Sequence, residues 1–204
     1  MKKDPAHMPT RSDDGRRTPA RRANNRQQDV LDQAAKLFGQ SGYDGTSMRD
    51  VANAVGMLHG SLYYHYPSKE DLFLAVYAEG KRRNDALFAG VLDGIDDPWD
   101  RLEAVCIAHL QAGRDGSAYA VVLRQHVLPQ GGAIRRRLVA MRDAHEAMFR
   151  DLIAALPLSR KADRKYFRLL LLGGLMHAPV WYRPGGDPPK TVVRNFLALL
   201  GRPE

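Results

Sequence analysis

Between Thr46 and Lys69 the chain reads TSMRDVANAVGMLHGSLYYHYPSK, a short stretch dense in hydrogen-bonding side chains. Arg49, His59, Ser61, Tyr63, Tyr64 and His65 bring guanidinium, imidazole and hydroxyl groups to one segment that ends at Pro67. Groups of this kind can bond to base edges or to phosphate oxygens. Catalysis requires other patterns. The sequence has no Gly-x-Ser-x-Gly elbow, no glycine-rich phosphate loop and no His-Glu-x-x-His helix. His59 and His65 lack thiolate or carboxylate neighbours at zinc-binding spacing. Cys106, the single cysteine, sits in no catalytic motif and has no partner for an internal disulfide. An enzyme is therefore not expected, nor a cofactor or a bound metal.

The elements around this segment must present it. Val30, Leu31, Ala34, Leu37 and Phe38 recur on one helical face between Arg26 and Gln40, and Gly42 is a stop signal. Thr46 or Ser47 offers an N-cap to a second helix, with Asp50 in its first turn. Gly56 supplies a tight turn, and HGSLYYHY follows as a very short helix that Pro67 terminates. Ser68 caps a long helix running to about Leu92. Two short helices joined by a glycine turn form a helix-turn-helix, whose second member can enter the DNA major groove. Val51, Ala52, Val55, Met57 and Leu62 face inward on this spacing, leaving Arg49, His59, Ser61, Tyr64 and His65 outward. Tyr66 is assigned to the core.

Charge distribution agrees with a polyanionic partner without proving one. The net charge is +8, and residues 1–26 hold eight Lys and Arg against three Asp, a net of +5. Residues 27–70 are acidic by two, and the remainder is again +5. Residues 1–24 read as a disordered basic tail, 25–70 as the DNA-binding domain and 71–204 as a helical ligand-binding and dimerisation domain. No apolar run is long enough to cross a bilayer, and no secretory leader is evident, so a cytoplasmic protein with no membrane partner is expected. The fold class is all-α, with about nine helices.

Residues 37–77, LFGQSGYDGTSMRDVANAVGMLHGSLYYHYPSKEDLFLAVY, closely resemble the N-terminal domain of the TetR family of bacterial transcriptional repressors. The Leu-Phe pair before a Gly-Tyr turn, the Thr-Ser before the second helix and GSLYYHYPSKEDL carry the resemblance. It implies base contacts at Arg49, His59, Gly60, Ser61 and Tyr64, with Gly60 standing where the family often has proline or lysine. It implies phosphate contacts at Thr46, Ser47, Tyr63, His65 and Lys69. It further implies a homodimer on a pseudo-palindromic operator, released by a small-molecule effector. The rival is a dimeric ligand-binding or scaffold protein that does not bind an operator.

The rest of the chain reads as further helices. Asp97 and Pro98 start one, Ser117–Leu128 forms a second, and Ala133–Leu156 a long amphipathic third. Asp163–Tyr182 is apolar on nearly every side, and Val192 to Leu200 marks a last helix. Two such helices at the chain's end call for a partner surface, which a four-helix bundle between two copies supplies. Candidate pocket residues on these helices are Cys106, His109, Leu110, Tyr119, His126, Met141, His145, Met148, Phe149, Met176, His177 and Trp181. Residues 174–186, GLMHAPVWYRPGG, are similar to the corresponding segment of TetR-like regulators that respond to acyl-coenzyme A thioesters. Arg135, Arg136, Arg137 and Arg142 offer positive charge for the phosphates of such a ligand.

Overall fold

The structure, a computed structural model, describes residues 19–114, 116–124, 132–183 and 185–203, and their regular elements are all helical. Helix α1 spans Pro19–Ser41, α2 Met48–Ala54, α3 His59–His65 and α4 Lys69–Leu92. Then come α5 Pro98–Arg114, α6 Ala118–Arg124 and α7 Gly132–Ala154. The chain closes with α8 Arg164–Met176, α9 Ala178–Trp181 and α10 Pro189–Leu199. Among the described residues there are thus ten helices where about nine were expected.

Two boundaries differ from the sequence reading. Helix α1 begins at Pro19, inside the segment read as a tail; residues 1–18 lie outside the described residues. The single helix expected over Asp163–Tyr182 is broken at His177 into α8 and the one-turn α9. Pro179 explains the break, because it has no N–H to continue the hydrogen-bond ladder of α8 and is tolerated only in the first turn of a new helix.

Local chemistry sets the head. Ser47 caps α2 in a reciprocal box: its hydroxyl accepts from the Asp50 N–H at 3.2 Å, while the Asp50 carboxylate accepts from the Ser47 N–H at 2.9 Å. The Ser47 hydroxyl, which also donates to the Asp50 carboxylate at 2.6 Å, together with the Ser47 N–H holds the Asp50 carboxyl below its usual range. Gly56 takes φ +62° to turn the chain, and the Met57 N–H returns to the Ala52 carbonyl at 2.9 Å. Helix α3 is held by one fully buried side chain, Leu62, and its ladder ends when the Tyr66 N–H reaches the Leu62 carbonyl before Pro67. Ser68 then caps α4 by accepting from the Asp71 N–H at 3.0 Å.

The apolar side chains sort into two cores. The first joins α1, α2, α3, the start of α4, α6 and the start of α7 around Phe38, Phe73, Leu62 and Leu138. There Phe38 and Tyr43 both meet the Phe73 ring edge-to-face, at 4.9 and 5.1 Å. The second core gathers the end of α4, α5, the end of α7, α8 and α10 around Phe88, Leu102, Phe149 and Leu171. Helices α4 and α7 contribute to both and tie the head to the body. The Phe196 ring of α10 reaches α8, where a Cβ on Gly174 would lie 2.6 Å from it, so any larger residue there must displace the ring.

Candidate nucleic-acid interface and internal cavity

Helix α3 stands out from the head. Besides Leu62, its residues are exposed: Tyr64 to 87 % and Tyr63 to 42 %. Arg49, His59, Gly60, Ser61 and His65 are also exposed, as the sequence spacing requires. The Tyr63 ring meets His59 edge-to-face at 4.9 Å, and Tyr64 meets His65 at 5.6 Å. A shallow groove along this face is lined by Arg26, Gly56, Met57, Leu58, Ser61, Tyr64 and His65. Arg26 and the 81 % exposed Leu58 were not singled out from sequence. Arg26 falls one helical turn before the apolar stripe of α1, and Leu58 sits at the N-cap of α3. The latter position could have marked it.

The flanking residues divide. Ser47 is exposed, although its hydroxyl also donates to Asp50 at 2.6 Å. Thr46 is placed differently from the expectation of a phosphate contact. It is buried, and its Oγ1 donates to the Gly42 carbonyl at 2.9 Å, closing the turn after α1. Lys69 is turned inward. Its Nζ donates to the carbonyls of Tyr43 and Thr46 at 3.0 and 3.1 Å and lies 4.3 Å from the centre of the Tyr43 ring. The ammonium therefore stitches the α1–α2 loop to the start of α4. Burial pushes the Tyr43 phenol up to about 12, assisted by Glu70.

The body has a cavity that opens to solvent between α4, α5, α6, α7 and α8. Four of the residues expected in a pocket line it: His109, Met141, His145 and Met176. A second cavity continues past His109 and Leu110 toward Leu175, Ala178 and Tyr182. His109 and His145 stand 6.0 Å apart in an aromatic setting, with Phe149 edge-on to His109 at 6.0 Å and Phe88 5.8 Å from His145. Burial pushes the His109 imidazole down to about 4, helped by His145 and Arg124. Burial also lowers His145, while Asp85 and Glu146 pull it up and Lys81 pulls it down.

The other expected pocket residues lie elsewhere. Cys106 and Phe149 are buried in the second core and Met148 packs against it; burial pushes the Cys106 thiol far up, so it is chemically quiet. Trp181 is partly exposed, its Nε1 donating to the Gly174 carbonyl at 3.1 Å, and His177 lies on the surface. His126 lies outside the described residues. Tyr119 belongs to a different structure. Its hydroxyl donates to Asp32 of α1 at 2.7 Å, and Gln28 donates to both Asp32 and Tyr119, at 2.9 and 3.2 Å. Arg83 of α4 donates to Asp32 at 3.2 Å and lies 4.2 Å from the centre of the Tyr119 ring. Helix α6 thus lines the cavity through Ala120, Leu123 and Arg124 while Tyr119 grips the head.

Among the described residues no helix is long and apolar enough to cross a membrane, and no group of three or more His, Cys, Asp or Glu could hold a metal ion. An exposed reading helix on a three-helix head, joined to a helical body with an internal cavity, defines a DNA-binding transcriptional regulator. Residues 30–76 match the model of the bacterial regulatory proteins of the tetR family, and residues 95–202 match the tetracyclin repressor-like C-terminal domain. The chain belongs to the TetR family. It is similar to the HTH-type transcriptional repressor KstR2 of Rhodococcus jostii, 47 % identical over 191 residues, which covers 87 % of this chain and 90 % of that one. KstR2 of Mycobacterium tuberculosis is 26 % identical over 191 residues, covering 89 % and 94 %. The solved structure of that ketosteroid transcriptional regulator matches at TM-score 0.66 and 25 % identity, over 87 % of this chain and 93 % of that one. AibR in complex with isovaleryl coenzyme A and operator DNA shares the fold at TM-score 0.71 and 23 % identity, over 86 % and 96 %.

Proposed function

We propose that the protein is a homodimeric repressor that holds a pseudo-palindromic operator through α3 and leaves it when an acyl-coenzyme A thioester enters the body cavity. The observation that carries this reading is the position of α3, anchored by Leu62 and otherwise free to occupy a major groove. Tyr64, Ser61 and Arg49 offer base contacts, while Tyr63, His65 and Ser47 flank them within reach of phosphates. Two copies are joined along α8 and α10, where Leu169, Leu170 and Leu199 are exposed to 48 %, 68 % and 86 %. The names of the relatives support repression, one of them a ketosteroid regulator, and AibR was solved with a coenzyme A thioester and operator DNA.

Release follows from differential binding: a ligand that prefers one spacing of the two heads lowers operator affinity by that preference. The test is selection of bound DNA from a random library at controlled salt, followed by titration of the complex with acyl-coenzyme A thioesters of graded chain length. An inverted repeat released by at least one thioester is expected. Recovery of unrelated sequences would remove operator binding, and a complex unmoved by every thioester would remove this effector class.

A further inference from the structure

Two cavities meet inside the body, and His109, Gly113 and Arg124 border both. Among the described residues their walls contain Lys81, Arg124, Arg142, His109 and His145, yet no aspartate or glutamate. Two of the three cations are compensated without a ligand. Lys81 pairs with Asp85 at 2.5 Å, and Arg142 is exposed to water. Arg124 is half-buried, and among the described residues its hydrogen bond runs from Nη1 to the Gly113 carbonyl at 3.1 Å. Among the described residues no carboxylate pairs with it, and burial lowers its pKa with no acid to offset the effect. A half-buried guanidinium without a counter-ion is costly unless something that binds supplies one, and its planar fork fits a carboxylate.

We propose that the acyl body of the thioester carries a second, free carboxylate, received by Arg124 where the two cavities join, with the His109 imidazole bordering the same space as a second donor. This rests on the cavity being the effector site. The same anionic chemistry could come from the phosphates of a nucleotide head, but the walls around the junction include Leu110, Leu123 and Met176. Such walls accept an alkyl or ring body at the junction and leave a hydrated pyrophosphate to the open side, where Lys81 and Arg142 stand.

Calorimetric titration of the full-length protein with octanoate, 1-octanol and adenosine 3′,5′-bisphosphate tests the proposal without DNA, so its outcome is separate from that of operator release. Octanoate is expected to bind at least tenfold more tightly than 1-octanol. Arg124→Met should abolish that preference while 1-octanol still binds, which also shows that the fold survives, and Arg124→Lys should restore part of it. Equal affinity for acid and alcohol, no binding of either, or an undiminished preference in Arg124→Met would overturn the proposal. So would a loss in Arg124→Met confined to the bisphosphate.

Discussion

Tyr64 and His109 sit at opposite extremes of solvation, and each does what its surroundings permit. Tyr64 keeps its ring and hydroxyl in water on a helix anchored by one leucine, so both are available to a partner. His109 is packed against Phe149 and faces His145 and Arg124, so its charged form is disfavoured. Its pKa falls from 6.5 to about 4 in the folded chain. Between those values the unfolded state binds more protons than the folded one, so stability is lost as pH drops through that window. Thermal unfolding of the wild type is expected to weaken below pH 6.5 by up to about 1.4 kcal/mol per pH unit from this ring. His109→Leu should flatten the slope, leaving the contribution of His145. An unchanged slope in the variant would show that His109 is not buried as a neutral ring.

At the scale of elements, α6 links the two halves of the molecule. It presents Ala120, Leu123 and Arg124 to the cavity, and through Tyr119 it is bonded to Asp32 and Gln28 of the first helix. A shift of α6 on ligand binding would therefore strain a network that fixes α1, whose Arg26 borders the groove beside α3. Tyr119→Phe removes the hydroxyl and leaves the ring under Arg83. We expect ligand to bind the free variant as before, while the ligand concentration needed for half-release from DNA changes about fivefold or more, the lower end of ordinary coupling energies. Unaltered release would assign the coupling to α4 alone.

Sequence periodicity made the head legible, because caps, a glycine turn and a proline stop determine α2, α3 and the start of α4 locally. The α6 network was hidden because Asp32 and Tyr119 meet across 87 positions of sequence. Thr46 and Lys69 were misplaced for a related reason. Both look like surface polar residues, but the open carbonyls of the α1–α2 loop draw them inward.

For the molecule as a whole, the two cores share helices, so the head and body are packed into connected parts. Helices α4 and α7 cross from one core to the other, while α8 and α10 leave Leu169, Leu170 and Leu199 exposed on the outside of the second. Those leucines mark the surface assigned to a second copy. Leu170→Arg should shift sedimentation toward the monomer and weaken operator binding with it, since a single head contacts one half-site. A variant that remains dimeric would move the interface elsewhere.

Helix α3 is the element proposed to read DNA, and titration at fixed salt of wild type and Tyr64→Ala on the selected operator tests it most directly. Loss of one base contact costs roughly 1–3 kcal/mol per head, so affinity should fall at least tenfold while non-specific binding and the dimer are kept. Equal affinity of the two proteins for the operator would remove α3 as the reading helix.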